Sequence, residues 1–403
     1  MLTVSTQTSI PPRTSRRQRL SFWFLVTLLV LLLAASSVAS PLYPLYQERW
    51  GISSLSVTIV FALYALALLL ALLITGRVSD RVGRRPLVVA ALIVQVAGIV
   101  GFLVANGVTL IYVARILQGL GTGLGIAAIT AWMLDLQPPE NPRLGSLAAS
   151  AAPLTGIFVG AFGSAFLVQY GPNKLHLVYW ILGAGYVLSL FPTLTIEDRV
   201  KRQGSWLASL RPQVAVPAQA RSEFIALAPS LTATWALGGL NLSLGPALAI
   251  SVLGSRNLLA GGLVVAAQAA GGSVASAYGA LAPPRRLVRR GGLFLLAGVA
   301  ITLVAVYTSS LALLYVGAVV IGLGFGQSFS GIIRTLAPMA PPEQRSGLIS
   351  AIYIVSYLGF SLPAIAGGLA ANSYGLHDAT YGYGAAVMLL TVFTVVVLAR
   401  RRD

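Results

Sequence analysis

The sequence predicts an all-α membrane protein of twelve transmembrane helices, arranged as two parallel six-helix bundles. Three observations carry that prediction. Of 403 residues, 57% are hydrophobic and only 9% charged, with a mean hydropathy of +0.84; soluble domains are roughly 45–50% apolar and about 25% charged. Apolar runs near the ~20 residues that cross a bilayer recur twelve times. The chain also resembles itself at an offset of about half its length.

The runs are 20–40, 53–75, 86–106, 109–134, 146–168, 176–195, 224–252, 257–281, 291–308, 311–338, 346–370 and 380–399. The first follows Arg13, Arg16, Arg17 and Arg19 and ends in Ser36-Ser37-Val38-Ala39-Ser40, the outline of a secretory signal. Its apolar part is longer than a signal core and eleven spans follow, so a retained helix is expected. The second run is almost purely aliphatic. The third and ninth start directly after the arginine clusters 84–85 and 285–290. The fourth, fifth, seventh and eleventh contain Gly or Pro, which membrane helices tolerate because neighbouring helices satisfy the freed backbone groups. The polar stretch 196–222 separates the sixth from the seventh, giving bundles 1–195 and 223–403 joined by a linker.

Charge sets the expected orientation. With the N-terminus inside, 23 of the 27 Lys and Arg residues fall on the cytoplasmic side; Arg49, Lys174 and Arg256 fall outside and Arg115 lies within a span. That asymmetry is a strong positive-inside signal. Both termini and the linker are expected in the cytoplasm and the chain in the inner cell membrane. The net charge of +17 is spread over short clusters beside spans, which predicts contact with anionic lipid at the cytoplasmic face and no nucleic-acid binding. Cysteine is absent and there are two histidines, His176 and His377, so no metal site and no cofactor are expected. No phosphate-binding G-x-x-x-x-G-K-[ST] pattern occurs. Both histidines fall in outer loops and no acid lies within a span interior, so an enzyme is not expected.

The repeat is visible in Leu110–Gly125, "LIYVARILQGLGTGLG", against Leu313–Ser328, "LLYVGAVVIGLGFGQS", at an offset of 203. The same offset superposes Pro138-Pro139-Glu140 on Pro341-Pro342-Glu343, and Gly76 on Gly279. Six spans is an even number, so both halves share one orientation, the architecture of parallel repeats around a midplane site.

The stretch between the second and third runs, "GRVSDRVGRRPL" from Gly76 to Leu87, resembles the signature G-x-L-A-D-R-x-G-R-[RK] of the major facilitator superfamily. Gly76, Asp80, Arg81, Gly83, Arg84 and Arg85 match it. Arg115, Gln118 and Gly119 are similar to the family's R-x-x-Q-G on the fourth span. The resemblance implies a secondary transporter of a small organic solute, working by alternating access as a monomer. Within it, proton-coupled export, facilitated diffusion and proton-symport uptake stay open. It also implies a cytoplasmic gate, in which Asp80 docks on the start of the eleventh helix near Ser346-Gly347 and Asp135 partners Arg84. The second-half counterpart has Pro283 where Asp80 would stand, so one latch is expected. The family's exporter pattern G-P-x-x-G-G is kept only at Pro153 and Gly156.

Polar residues in a bilayer are costly and mark candidate pathways. Arg115 is the one charge well inside a span and shares a helical stripe with Gln118, Thr122 and Gly125. Asn241, Gln268, Gln327, Tyr353 and Tyr357 join it as candidates for a substrate or proton pathway, each able to serve instead as interhelical glue. An acceptor-rich or anionic substrate is expected to complete the shell of Arg115. Tyr43 and Tyr46 are expected in the outer interfacial belt.

Overall fold

The structure, a computed structural model, describes residues 15–75, 78–141, 144–198, 200, 213–255, 257–279 and 282–400, without the side chains of Asp80 and 398–400. Every regular element among them is helical. The long helices are α1 (Arg16–Val38), α2 (Ser54–Thr75), α3 (Arg84–Leu103), α4 (Val108–Asp135), α5 (Leu144–Tyr170), α6 (Leu177–Thr195), α7 (Ala218–Ser243), α8 (Leu259–Gly279), α9 (Pro284–Tyr307), α10 (Leu311–Leu336), α11 (Pro342–Tyr374) and α12 (Leu376–Arg400). All twelve contain a stretch long and apolar enough to cross a membrane.

Several helices exceed their apolar runs. Helix α9 begins at Pro284 rather than 291, because Pro284 is a good first helical residue and the arginines that follow extend the helix past the hydrocarbon. Helix α11 begins at Pro342, not near Ser346, for the same reason. Helix α7 takes in Ala218–Ser222, which the sequence reading placed in the linker.

Two spans are broken at corresponding places. α1 passes through a 3₁₀ turn, Ser40–Leu42, into the short helix Tyr43–Trp50. α7 passes through Gly245–Ala247 into a π-helical turn, Leu248–Val252. Pro41 and Pro246 sit at these breaks, where proline cannot supply the N–H that a continuing helix needs.

Small residues set the helix separations, as expected where apolar burial does not distinguish helix from lipid. On α4, a Cβ at Gly119 would strike the Tyr64 carbonyl of α2, and one at Gly123 the Leu68 carbonyl at 2.6 Å. The repeat places Gly322 and Gly326 of α10 against Gln268 and Gly272 of α8 in the same way. On α5, Ala152, Gly156, Gly160 and Ser164 are all buried; Gly156 and Gly160 meet the backbone of α1, and Ser164 Oγ donates to the Val38 carbonyl at 2.7 Å.

The bundles meet along α5–α8 and α2–α11. At the span ends opposite the two chain termini, Gly262 of α8 packs on Ala165 and Pro41, and Gly368 of α11 on Thr58. Gln169 at the end of α5 accepts the Leu258 N–H ahead of α8 at 2.8 Å. The span ends on that side are therefore closed against each other.

Candidate functional site

The first-half part of the site is built on the α4 stripe. Arg115 and Thr122 are fully buried and Gln118 is 1% exposed. Arg115 Nη1 donates to Gln118 Oε1 at 2.6 Å and to the Ser36 carbonyl at 3.2 Å, and Nη2 donates to the Tyr43 hydroxyl at 2.5 Å. Its guanidinium also lies 5.0 Å from the Tyr64 ring centroid, a cation–π distance. Gln95 of α3 supports the stripe by donating to Thr122 Oγ1 at 2.8 Å. No carboxylate among the described residues pairs with Arg115.

This changes one expectation. The guanidinium was expected to await a substrate, yet neutral acceptors of the chain take both its terminal nitrogens. Nε alone lacks a partner. Tyr43 and Tyr46 also depart from the expected belt. They are 1% and 2% exposed, and Tyr46 shares a hydrogen bond of 2.9 Å with Tyr179 of α6. The break at Pro41 turns the chain so that both rings enter the first bundle.

The second-half part is aromatic. Trp235 of α7 lies 5.5 and 5.3 Å from the rings of Phe325 and Phe329 on α10, and 5.0 and 5.4 Å from Tyr357 and Phe360 on α11. Phe61 of α2 closes the group across the bundle interface, 4.6 Å from Phe360. Tyr64 belongs to the same buried cluster as Trp235 and Tyr357, so this cluster abuts the Arg115 network. At the repeat offset Thr122 corresponds to Phe325, making one half of the site polar and the other aromatic.

The remaining candidates divide. Asn241 Nδ2 donates to Gln268 Oε1 at 2.6 Å, a buried pair between α7 and α8. Tyr353 stacks toward Tyr357, 6.2 Å away. Gln327 turns away, because two residues along a helix reverse the face: Phe325 and Phe329 point at Trp235, while Gln327 lines a cleft between α8, α9 and α10. Sequence reasoning missed Trp235, Phe61, Phe325, Phe329 and Phe360. The i, i+4 spacing of Phe325 and Phe329 and the i, i+3 spacing of Tyr357 and Phe360 were the available signals.

The motif between α2 and α3 forms a second structure. Gly76 lies outside the described residues, as does the side chain of Asp80. Arg81 is half-buried. Arg84 Nε donates to Asp135 Oδ2 at 3.2 Å and Nη1 to Ser79 Oγ at 2.6 Å. Gly83 has φ +107°, a conformation open to glycine and strained for other residues. A Cβ there would also come within 2.6 Å of Asp198 Oδ2. That carboxylate accepts the Arg85 N–H at 3.0 Å, where the helix dipole of α3 favours negative charge. Arg85 Nη2 donates to the Ile196 carbonyl at 2.5 Å, and Trp132 Nε1 to that of Glu197 at 3.0 Å. Residues 196–198, read as linker, are thus fastened to the first bundle. At the linker's other end the Ala215 N–H donates to the Gly347 carbonyl at 3.3 Å.

Comparison with known proteins bears on the family and the fold. The chain is 23% identical over 333 residues to multidrug resistance protein MdtL of Klebsiella pneumoniae, covering 79% of this chain and 81% of that protein. It is 24% identical over 383 residues to the multi-drug resistance efflux pump PmrA of Streptococcus pneumoniae, covering 90% and 92%. Among solved structures, an inward-facing, unoccupied bacterial homolog of the human lysosomal transporter Spinster superposes with a TM-score of 0.77 at 14% identity, over 96% of this chain and 98% of that one. The human organic anion transporter MFSD10 does so with a TM-score of 0.68 at 15% identity, over 94% and 100%. The family model described as Major Facilitator Superfamily matches residues 25–362, and this multi-pass membrane transporter, which is not an enzyme, belongs to the Major Facilitator Superfamily.

Proposed function

We propose that the chain exports a small organic solute by alternating access, and that the solute combines a planar apolar body with an acceptor-rich or anionic group. One observation carries this reading: Arg115 Nε, Gln118 Nε2 and Trp235 Nε1 are buried N–H donors without a hydrogen-bond partner among the described residues. Each orphan donor costs about 1–3 kcal/mol, and a substrate that brings acceptors recovers that cost. The rings around Trp235 supply a surface for the planar body. Efflux is the direction named for PmrA, and it supports export here. Tyr353, Tyr357, Asn241 and Gln268 border this pathway.

The same site disfavours cations. Arg115 stands without a countercharge among the described residues, and each of the nine acidic residues among them lies outside the spans or within two turns of a helix end. A proton antiporter that trades a cation for a proton uses a carboxylate in the membrane, and none is placed for it. This favours a second reading of the coupling, a facilitator or a proton carried by the substrate's own acidic group.

Purified protein tests the substrate class by thermal shift, since a ligand stabilises the state it binds. Planar aromatic carboxylates are expected to raise Tm, with the shift reduced in Trp235→Phe and lost in Trp235→Ala. Equal stabilisation by the matching aromatic amines would contradict the reading.

In this reading both termini and the linker are cytoplasmic and the protein works as an inner-membrane monomer. The chain lacks cysteine, so single introduced cysteines report topology unambiguously. An impermeant thiol reagent is expected to label Ser255→Cys and Ser373→Cys from outside, and Ser205→Cys only after permeabilisation. External labelling at 205 would invert the orientation.

A further inference from the structure

We infer that the cleft between the cytoplasmic halves of α8, α9 and α10 is a binding site for one anionic phospholipid of the inner leaflet. The cleft has a volume of about 200 Å³ and is lined by Val274, Ala275, Tyr278, Leu287, Leu323, Gln327 and Arg290, among others. Its lip opens on the outside of the helix bundle, where Val274 is 51% and Tyr278 77% exposed. The floor is aliphatic and suits an acyl chain. Its polar side chains are Arg290 at the mouth, Tyr278 on the lip, and Gln327, whose Oε1 is buried without a partner.

Depth matches a lipid headgroup. Gly291 of α9 packs on Ser328 of α10, so Arg290 and Gln327 lie at one level, about two turns from the cytoplasmic start of α9. Arg286, Arg289 and Arg290 are exposed, and no described carboxylate bridges to them. Arg285 differs, being paired with Glu223 at 3.6 Å. Arg290 in the cleft lining, with Arg286 one turn before it on the same helix face, suits a phosphodiester. The orphaned Gln327 acceptor calls for a donor, which the hydroxyls of a phosphatidylglycerol headgroup provide and a choline headgroup lacks. Charge, donor chemistry and an apolar floor thus converge on one occupant, independently of the transported solute.

Native mass spectrometry of the full chain, purified in detergent and titrated with phosphatidylglycerol or phosphatidylcholine, tests this. The expected result is one tightly retained phosphatidylglycerol per chain and weaker retention of phosphatidylcholine. Affinity should fall about fivefold for each of Arg286→Gln and Arg290→Gln. Val274→Trp, which fills the cleft with every charge in place, and Gln327→Leu should both lose the retained lipid. Arg16→Gln/Arg19→Gln removes cytoplasmic charge elsewhere and should keep it. Wild-type retention in Val274→Trp and Gln327→Leu, equal loss in Arg16→Gln/Arg19→Gln, or no preference between the two lipids would overturn the site. Monodisperse elution at the wild-type volume confirms that each variant is folded, and the two cleft variants act independently.

Discussion

Arg115→Ala is expected to abolish solute flux in proteoliposomes while the protein still elutes as a folded monomer. The guanidinium links Tyr43, the Ser36 carbonyl, Gln118 and the Tyr64 face. Truncation removes the cation and leaves three acceptors without their donor. Arg115→Lys restores charge but not the planar fork that reaches Tyr43 and Gln118 together. It is expected to transport at about a tenth of the wild-type rate or less, a loss of ~1.4 kcal/mol or more in the transition state. Flux near wild type in Arg115→Ala would remove Arg115 from the pathway.

Gly322→Val is expected to prevent accumulation of folded protein. A Cβ at this position lands on the Gln268 carbonyl of α8 and within 2.9 Å of the Gly272 nitrogen. These are backbone atoms, so α8 and α10 must separate. Overpacking of a core costs about 1–3 kcal/mol when side chains can adjust, and here no side chain can yield. Gly163→Val is the control, because a Cβ at Gly163 meets nothing within 4 Å. Expression and Tm in detergent check both. A wild-type Tm for Gly322→Val would mean that the α8–α10 contact is looser than described.

How much of this was legible depended on what each feature rests on. The spans follow from hydropathy, a local property. The packing register was visible too, since Gly119 and Gly123 recur as Gly322 and Gly326 and meet α2 and α8 alike. Helix ends were misread where polar residues continue a helix beyond the hydrocarbon, as at Pro284 and Pro342. Arg115 stood out as a charge in a span, but its partners Tyr43 and Ser36 are 72 and 79 residues away, and no spacing rule connects them. Tyr43 and Tyr46 suit an interface as well as a core by composition, and the break at Pro41 decided between them. Trp235 and its neighbouring phenylalanines were hidden because aromatics in an apolar helix can face lipid, packing or substrate. Gln327 was grouped with its neighbours by polarity, whereas the helical period sends it the other way. Asp198 lay in a stretch taken as linker, and its cap on α3 depends on the fold bringing residues 85 and 198 together.

In the proposed mechanism, a central site offers buried donors and the Arg115 cation to an aromatic solute. Counterflow in proteoliposomes tests this most directly, using labelled planar aromatic acids and amines of matched size, with empty liposomes as reference and with and without an imposed pH gradient. The account predicts protein-dependent exchange of acids but not amines, lost in Arg115→Ala. Exchange of amines at a rate equal to that of acids, surviving in Arg115→Ala, would contradict it.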